Sequence, residues 1–183
     1  MRYIHNKWLS AILTLMLLGT ASLVAQTEDS EHVSKLLANA KSQAISASDD
    51  AELLQSYTRS QLALSSHAAQ IEKIRGHVND LGRTVSDLSA ARAEGSQWQQ
   101  VAIDRIDPLL RELADTLTTT IKHMNDNPGR IHMKAYRDYA TATYDLTSRT
   151  ASTISDFVEY GKVRARVAEL EQKLEITPAE AGN

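Results

Sequence analysis

An all-α fold, drawn as an elongated antiparallel up-down four-helix bundle with coiled-coil-like seams, is what this sequence predicts. Three observations predict it. Strong helix formers fill the chain between its boundaries, and breakers are scarce, with seven glycines and three prolines in 183 residues. Apolar residues recur at spacings of three and four over long stretches, the period of a helix face. The breaks between those stretches are short, and short connections force neighbouring helices to run antiparallel. Three helices are expected to be long and the first short.

The chain opens with Arg2 and Lys7. An apolar run follows from Trp8 to Leu18, then the small-residue stretch Gly19-Thr20-Ala21-Ser22-Leu23-Val24-Ala25. A basic start, a short apolar run and a small-residue exit describe a secretory signal peptide. Residues 1–25 are assigned to it, with cleavage expected after Ala25. Cleavage after Ser22 is the alternative, because Leu23 is large for the position three residues before a cut. An uncleaved anchor is the competing reading, but a spanning helix needs about 20 apolar residues. The expected location is therefore outside the cytoplasm, periplasmic or secreted, with no stable membrane span after cleavage. Residues 26–177 form one helical domain, and 178–183 a frayed tail beginning at Pro178.

Removing Arg2 and Lys7 takes Lys+Arg from 20 to 18 against 23 Asp+Glu, a formal charge of −5. A mildly acidic chain with interspersed signs carries no footprint for nucleic acid or anionic lipid. There is no cysteine. That excludes disulfides, a thiol nucleophile, cysteine-ligated zinc, iron–sulfur clusters and covalently attached haem.

The first helix is expected from about Glu31 to Ala47, with Val33, Leu36, Leu37, Ala40 and Ala44 on one face. Ser48-Asp49-Asp50 interrupts it, and Asp49 with Glu52 resembles a capping box that starts the second helix. There Leu53, Tyr57, Leu64, Ile71, Ile74, Val78, Leu81, Val85 and Leu88 repeat in a heptad frame, Ser60 and His67 filling its gaps. Five heptads make a coiled-coil seam roughly 60 Å long at about 1.5 Å per residue. Gly95 reads as a C-terminal cap and Ser96 as the next N-cap.

The third helix carries Ile103, Ile106, Leu110, Leu113, Leu117, Ile121 and Met124. Pro108 either restarts it after an Asp107 cap or kinks it. Asn125-Asp126-Asn127-Pro128-Gly129 is a turn. From about Ile131 the fourth helix presents Tyr136, Tyr139, Thr143, Leu146, Thr150, Ile154, Phe157, Tyr160, Val163, Val167, Leu170 and Leu174. Its frame drifts near Gly161, as a stutter would produce.

No nucleophile elbow, zinc-protease motif, P-loop, dinucleotide turn or Glu-x-x-His pair occurs, so no enzyme is expected. Histidine supplies the one chemical constellation. Antiparallel counting about Gly95 sets His67 level with His123, and counting about Pro128-Gly129 brings His132 near the same layer. Met124 and Met133 lie beside them. Such a group could hold a transition metal, or a non-covalent haem through a His/Met or His/His pair. The plainer reading is one buried, hydrogen-bonded histidine and two solvated ones. Trp98 is expected to plug the end of the bundle, or to serve as a contact residue if exposed.

The stretch Trp98 to Leu110 (WQQVAIDRIDPLL), with His123-Met124-Asn125-Asp126-Asn127 and Asp156-Phe157-Val158-Glu159-Tyr160-Gly161-Lys162, resembles a group of uncharacterised exported bacterial helical proteins. The resemblance implies export and helicity and assigns no activity. The expected function is non-enzymatic: an extracytoplasmic bundle acting through protein contacts, with another copy of itself or with an envelope partner. A metal- or haem-binding bundle is the alternative, and a chaperone-like or sensor-like periplasmic bundle the third.

Overall fold

The computed structural model describes residues 28–175. The signal peptide assigned to residues 1–25 and the tail at 178–183 lie outside the described residues. Four α-helices account for most of the rest: α1 Glu31–Tyr57, α2 Leu64–Ala90, α3 Gln97–Asp126 and α4 Lys134–Leu174. Two 3-10 turns, Arg92–Glu94 and Pro128–Arg130, precede α3 and α4. No strand occurs among the described residues.

The first two helices are partitioned differently from the sequence expectation. α1 is not short, because it runs unbroken through Ser48-Asp49-Asp50. Ala44, Ala47, Ala51 and Leu54 carry its buried stripe across the polar tripeptide. Asp49, the expected cap, lies exposed within the helix, while the carboxylate and carbonyl of the neighbouring Asp50 both accept from Gln70 Nε2 at 2.8 Å. Tertiary pairing of Asp50 with α2 thus holds the polar tripeptide inside the helix.

The break falls instead at residues 58–63, inside the seam expected to span five heptads. Ser56, Thr58 and Ser60 each donate a hydroxyl to the carbonyl three residues earlier. Short hydroxyl side chains compete in this way for the carbonyls of a helix end. Leu53 is consequently exposed on α1, while Ile71 to Leu88 hold the expected seam on α2.

α3 passes through Pro108 without restarting. Its stripe of Ile103, Ile106, Leu110, Leu113, Leu117 and Met124 is buried as the spacing predicts.

Each helix packs on two others, in the cyclic order α1, α2, α3, α4. Alanines at 40, 44, 47 and 51 are at most 1% exposed, so α1 presents a small-residue face to α2 and α4. Such a face lets axes approach toward the lower end of the 8–10 Å packing range. Polar rungs tie the helices together. Thr84 donates to Gln43 at 2.9 Å and accepts from Asn39 at 3.4 Å, and Gln55 donates to Thr141 at 3.2 Å. The Thr120 and Thr143 hydroxyls lie 2.9 Å apart.

The end of the bundle where α3 begins is closed by two residues. Gln99 is fully buried. Its Oε1 accepts from the Ser96 and Ser30 amides, and its Nε2 donates to the Ser30 carbonyl and Ser34 Oγ, all at 2.9 Å. Trp98 donates Nε1 to Asp29 at 2.6 Å and sets its ring edge-on to Tyr160, centroids 5.4 Å apart. Trp98, partly buried, thus lies across this end of the bundle.

Candidate functional site

Two regions combine chemistry with an incomplete environment, one at each end of the bundle.

The first lies where the 58–63 loop meets the start of α4. Heptad spacing places His67 on the core face of α2, and it is fully buried. Its Nδ1 is 3.1 Å from the Tyr136 hydroxyl, itself at 0% exposure. Tyr57 meets the imidazole edge-on at 5.7 Å, and Tyr136 does so at 5.3 Å. His123 stacks against the other side, 6.4 Å from Tyr136 and 4.7 Å from Tyr139. The Nε2 atoms of both His67 and His123 are buried without a protein hydrogen-bond partner.

Burial holds the His67 imidazole below its ordinary pKa, and the nearby His132 adds to the effect. Burial likewise raises the Tyr136 phenol above its ordinary range. Both groups are therefore neutral at pH 7. His132 lines a shallow depression of about 700 Å³ with Thr58, Arg59, Ser60, Gln61 and Arg137.

The three histidines singled out in the sequence thus gather at one end, but not as a ligand set. Tyr136 stands between His67 and His123, and His132 opens onto the depression. Among the described residues no group of three His, Asp or Glu side chains is arranged to hold a metal ion. What the structure assembles is a buried His–Tyr hydrogen bond inside an aromatic cluster. Sequence spacing could not find Tyr136 as the partner, since only three-dimensional packing sets it against His67.

The second region is the far end of α4. Its core face carries Tyr136, Ala140, Thr143, Thr147, Thr150 and Ile154. Near its far end the helix meets Trp98 at Gly161 and Asp29 beside Arg164 at 3.9 Å, among the described residues. Ten further residues, 165–174, carry the helix about 15 Å beyond them at about 1.5 Å per residue.

An apolar stripe runs along this end. Tyr160, Val163, Val167, Leu170 and Leu174 are 47%, 52%, 47%, 37% and 61% exposed. The stripe does not continue the core face. Val163 follows Ile154 by two and a half turns at about 3.6 residues per turn, which puts it on the opposite side of the helix. Over the bundle that outer side is polar, with Asp145, Ser152 and Asp156 exposed. The face turns apolar only where the helix leaves the bundle.

The frame drift near Gly161 was legible as a break in heptad phase, whereas the exposure it produces was not. No helix among the described residues is long and apolar enough to cross a membrane. Comparisons with protein-family models, curated proteins and solved structures gave no match.

Proposed function

We propose that the chain is a non-enzymatic, extracytoplasmic protein, an elongated up-down antiparallel bundle acting through protein contacts as a scaffold or adaptor. The observation that supports this reading is the outer face of α4, polar along the bundle and apolar beyond it. Beyond Tyr160, which meets Trp98 at the bundle end, Val163, Val167, Leu170 and Leu174 sit in heptad spacing on a solvated helix end, where they cost solubility and contribute nothing to the bundle's own core. A partner helix laid along them would remove that surface from water. The signal peptide read in residues 1–25 supports a location outside the cytoplasm.

The test is site-specific photocrosslinking in cells that make and export the full chain. A photoreactive residue at Val163 or Leu170 is expected to give a discrete protein adduct, and one at Ser152 none. Equal or absent adducts at the three positions would remove the basis for the proposal.

A further inference from the structure

Resting on that reading of the α4 end, we infer that its partner is a second copy of the same chain, paired parallel and in register. The charges flanking the stripe carry this. With Tyr160, Val167 and Leu174 at the a positions and Val163 and Leu170 at d, the g positions are Glu159, Arg166 and Lys173. The e positions are Arg164 and Glu171. In a parallel pair each g residue meets the e residue five places further along the partner helix. Glu159 then faces Arg164 of the other copy, and Arg166 faces Glu171. By the two-fold symmetry, all four such pairs are attractive.

Antiparallel alignments lack this agreement. Setting Val167 level with Leu170 pairs Arg164 with Glu171 but brings Arg166 against Lys173. Setting Val163 level with Val167 pairs Glu159 with Lys173 but brings Arg164 against Arg164 and Arg166 against Arg166. Like charges across a helix pair disfavour it. The apolar layers point the same way, since valine at a with leucine at d, as at Val167 and Leu170, suits a two-stranded parallel coil.

The environment of Arg164 agrees. Its guanidinium leans toward Asp29 at 3.9 Å, and its Nε is buried without a hydrogen-bond partner. Its Nη1 donates to the Tyr160 hydroxyl at 3.5 Å on the same helix, a weak exposed contact that a carboxylate from the other copy would replace. Arg166 is tied only to Glu169 on its own helix, with both side chains 62% exposed.

The docking geometry is open as well. Because the stripe lies opposite the core face, the two bundles would sit on the outer sides of the pair and not collide. The exposed polar face formed by Asp145, Ser152 and Asp156 ends the apolar contact where the bundles begin. Five residues from each copy make an interface at the small end of the known range, below about 1,200 Å². Association of this size is expected to be weak and reversible.

Sedimentation analysis of the full chain from about 1 to 300 μM is the first measurement, with N-terminal processing checked by mass. A monomer–dimer equilibrium is expected. Arg166→Glu should weaken it about tenfold or more, and Arg166→Glu with Glu171→Arg should restore it, since Arg166 is exposed, Glu171 is only partly covered and neither belongs to the core. The absence of native cysteine makes orientation readable. Val163→Cys and Leu170→Cys should each form a disulfide-linked dimer alone.

Preferential cross-linking between Val163→Cys and Leu170→Cys chains would overturn the parallel arrangement. A monomer at every concentration would overturn self-pairing. If that monomer still gave a photoadduct at Val163 to another protein, or to residues 1–27 of its own chain, the inference would fall. The first of these outcomes would leave the protein-contact reading standing. No adduct and no dimer would remove both.

Discussion

Removing a single oxygen atom should unsettle two buried residues at once. Tyr136→Phe keeps the ring that packs between His67 and His123 but deletes the hydroxyl 3.1 Å from His67 Nδ1. His67 Nε2 is already without a partner, so the imidazole would then have neither nitrogen bonded to protein. Leaving a buried polar group unsatisfied costs about 1–3 kcal/mol. The reciprocal change, His67→Phe, strands the Tyr136 hydroxyl at a similar cost. The double variant strands nothing, so it should lose less than the sum of the two singles by about 1 kcal/mol or more.

Urea denaturation at pH 7.5 measures all four corners of this cycle. The pH dependence adds an independent arm. The His67 pKa lies lower in the folded chain than in the unfolded one, where it takes the ordinary value near 6.5. Above about pH 6.5 both states leave it neutral and its contribution is complete. As the pH falls below that point the unfolded chain binds the proton first. Stability should then drop by at most about 1.4 kcal/mol per pH unit, down to the folded pKa. His67→Phe should flatten that segment of the curve relative to the parent. Strict additivity in the cycle, together with an unchanged acid limb in His67→Phe, would refute the reasoning.

Gln99→Leu should destabilise the bundle by about 2–4 kcal/mol in the same assay, since it strands the Ser30 and Ser96 amides that share Gln99 Oε1. Gly161→Ala adds a Cβ 2.7 Å from Trp98 Cη2. The helix-propensity gain of about 1 kcal/mol is offset by overpacking of about 1–3 kcal/mol. A red-shifted Trp98 emission in a chain lacking Trp8 would report the displaced indole. Mass spectrometry of the exported chain should find Gln26 at the N-terminus, and a retained Met1 would favour the anchor. Titration with zinc or haem should leave the melting temperature and the visible spectrum unchanged, whereas a Soret band lost in His67→Ala would restore the cofactor alternative.

Much of the fold was legible where local signals and burial agree. Ser96 begins α3, the Asn-Pro-Gly segment separates α3 from α4, and the seam from Ile71 to Leu88 lies inside. The errors came where a local signal was claimed by tertiary structure. Ser48-Asp49-Asp50 reads as a break and Asp49 with Glu52 as a cap, yet the helix runs on through them and Gln70 reaches across from α2 to bind Asp50. The true break at 58–63 has no glycine or proline to mark it, only hydroxyls that become effective once the helix has ended.

The candidate regions divide the same way. Counting brought His67, His123 and His132 to one end, but it had no means of inserting Tyr136 between the first two. The heptads of α4 predicted a stripe. Whether a stripe is covered depends on which side of α4 the other helices pack against, which no spacing encodes.

The polar rungs between helices have a consequence for alignment. A face built of alanines, such as that of α1, is nearly uniform along its length, and a uniform face tolerates sliding by a turn or a heptad. Thr84 with Gln43, Gln55 with Thr141, Gln70 with Asp50 and Thr120 with Thr143 each match at one offset only. A slip of α1 by one turn, about 5.4 Å, would break its three matches together and orphan their polar groups, and a slip of α3 on α4 would break the Thr120–Thr143 match. The rungs act as the marks of a vernier scale, selecting one alignment from several that the apolar core alone would find almost equal.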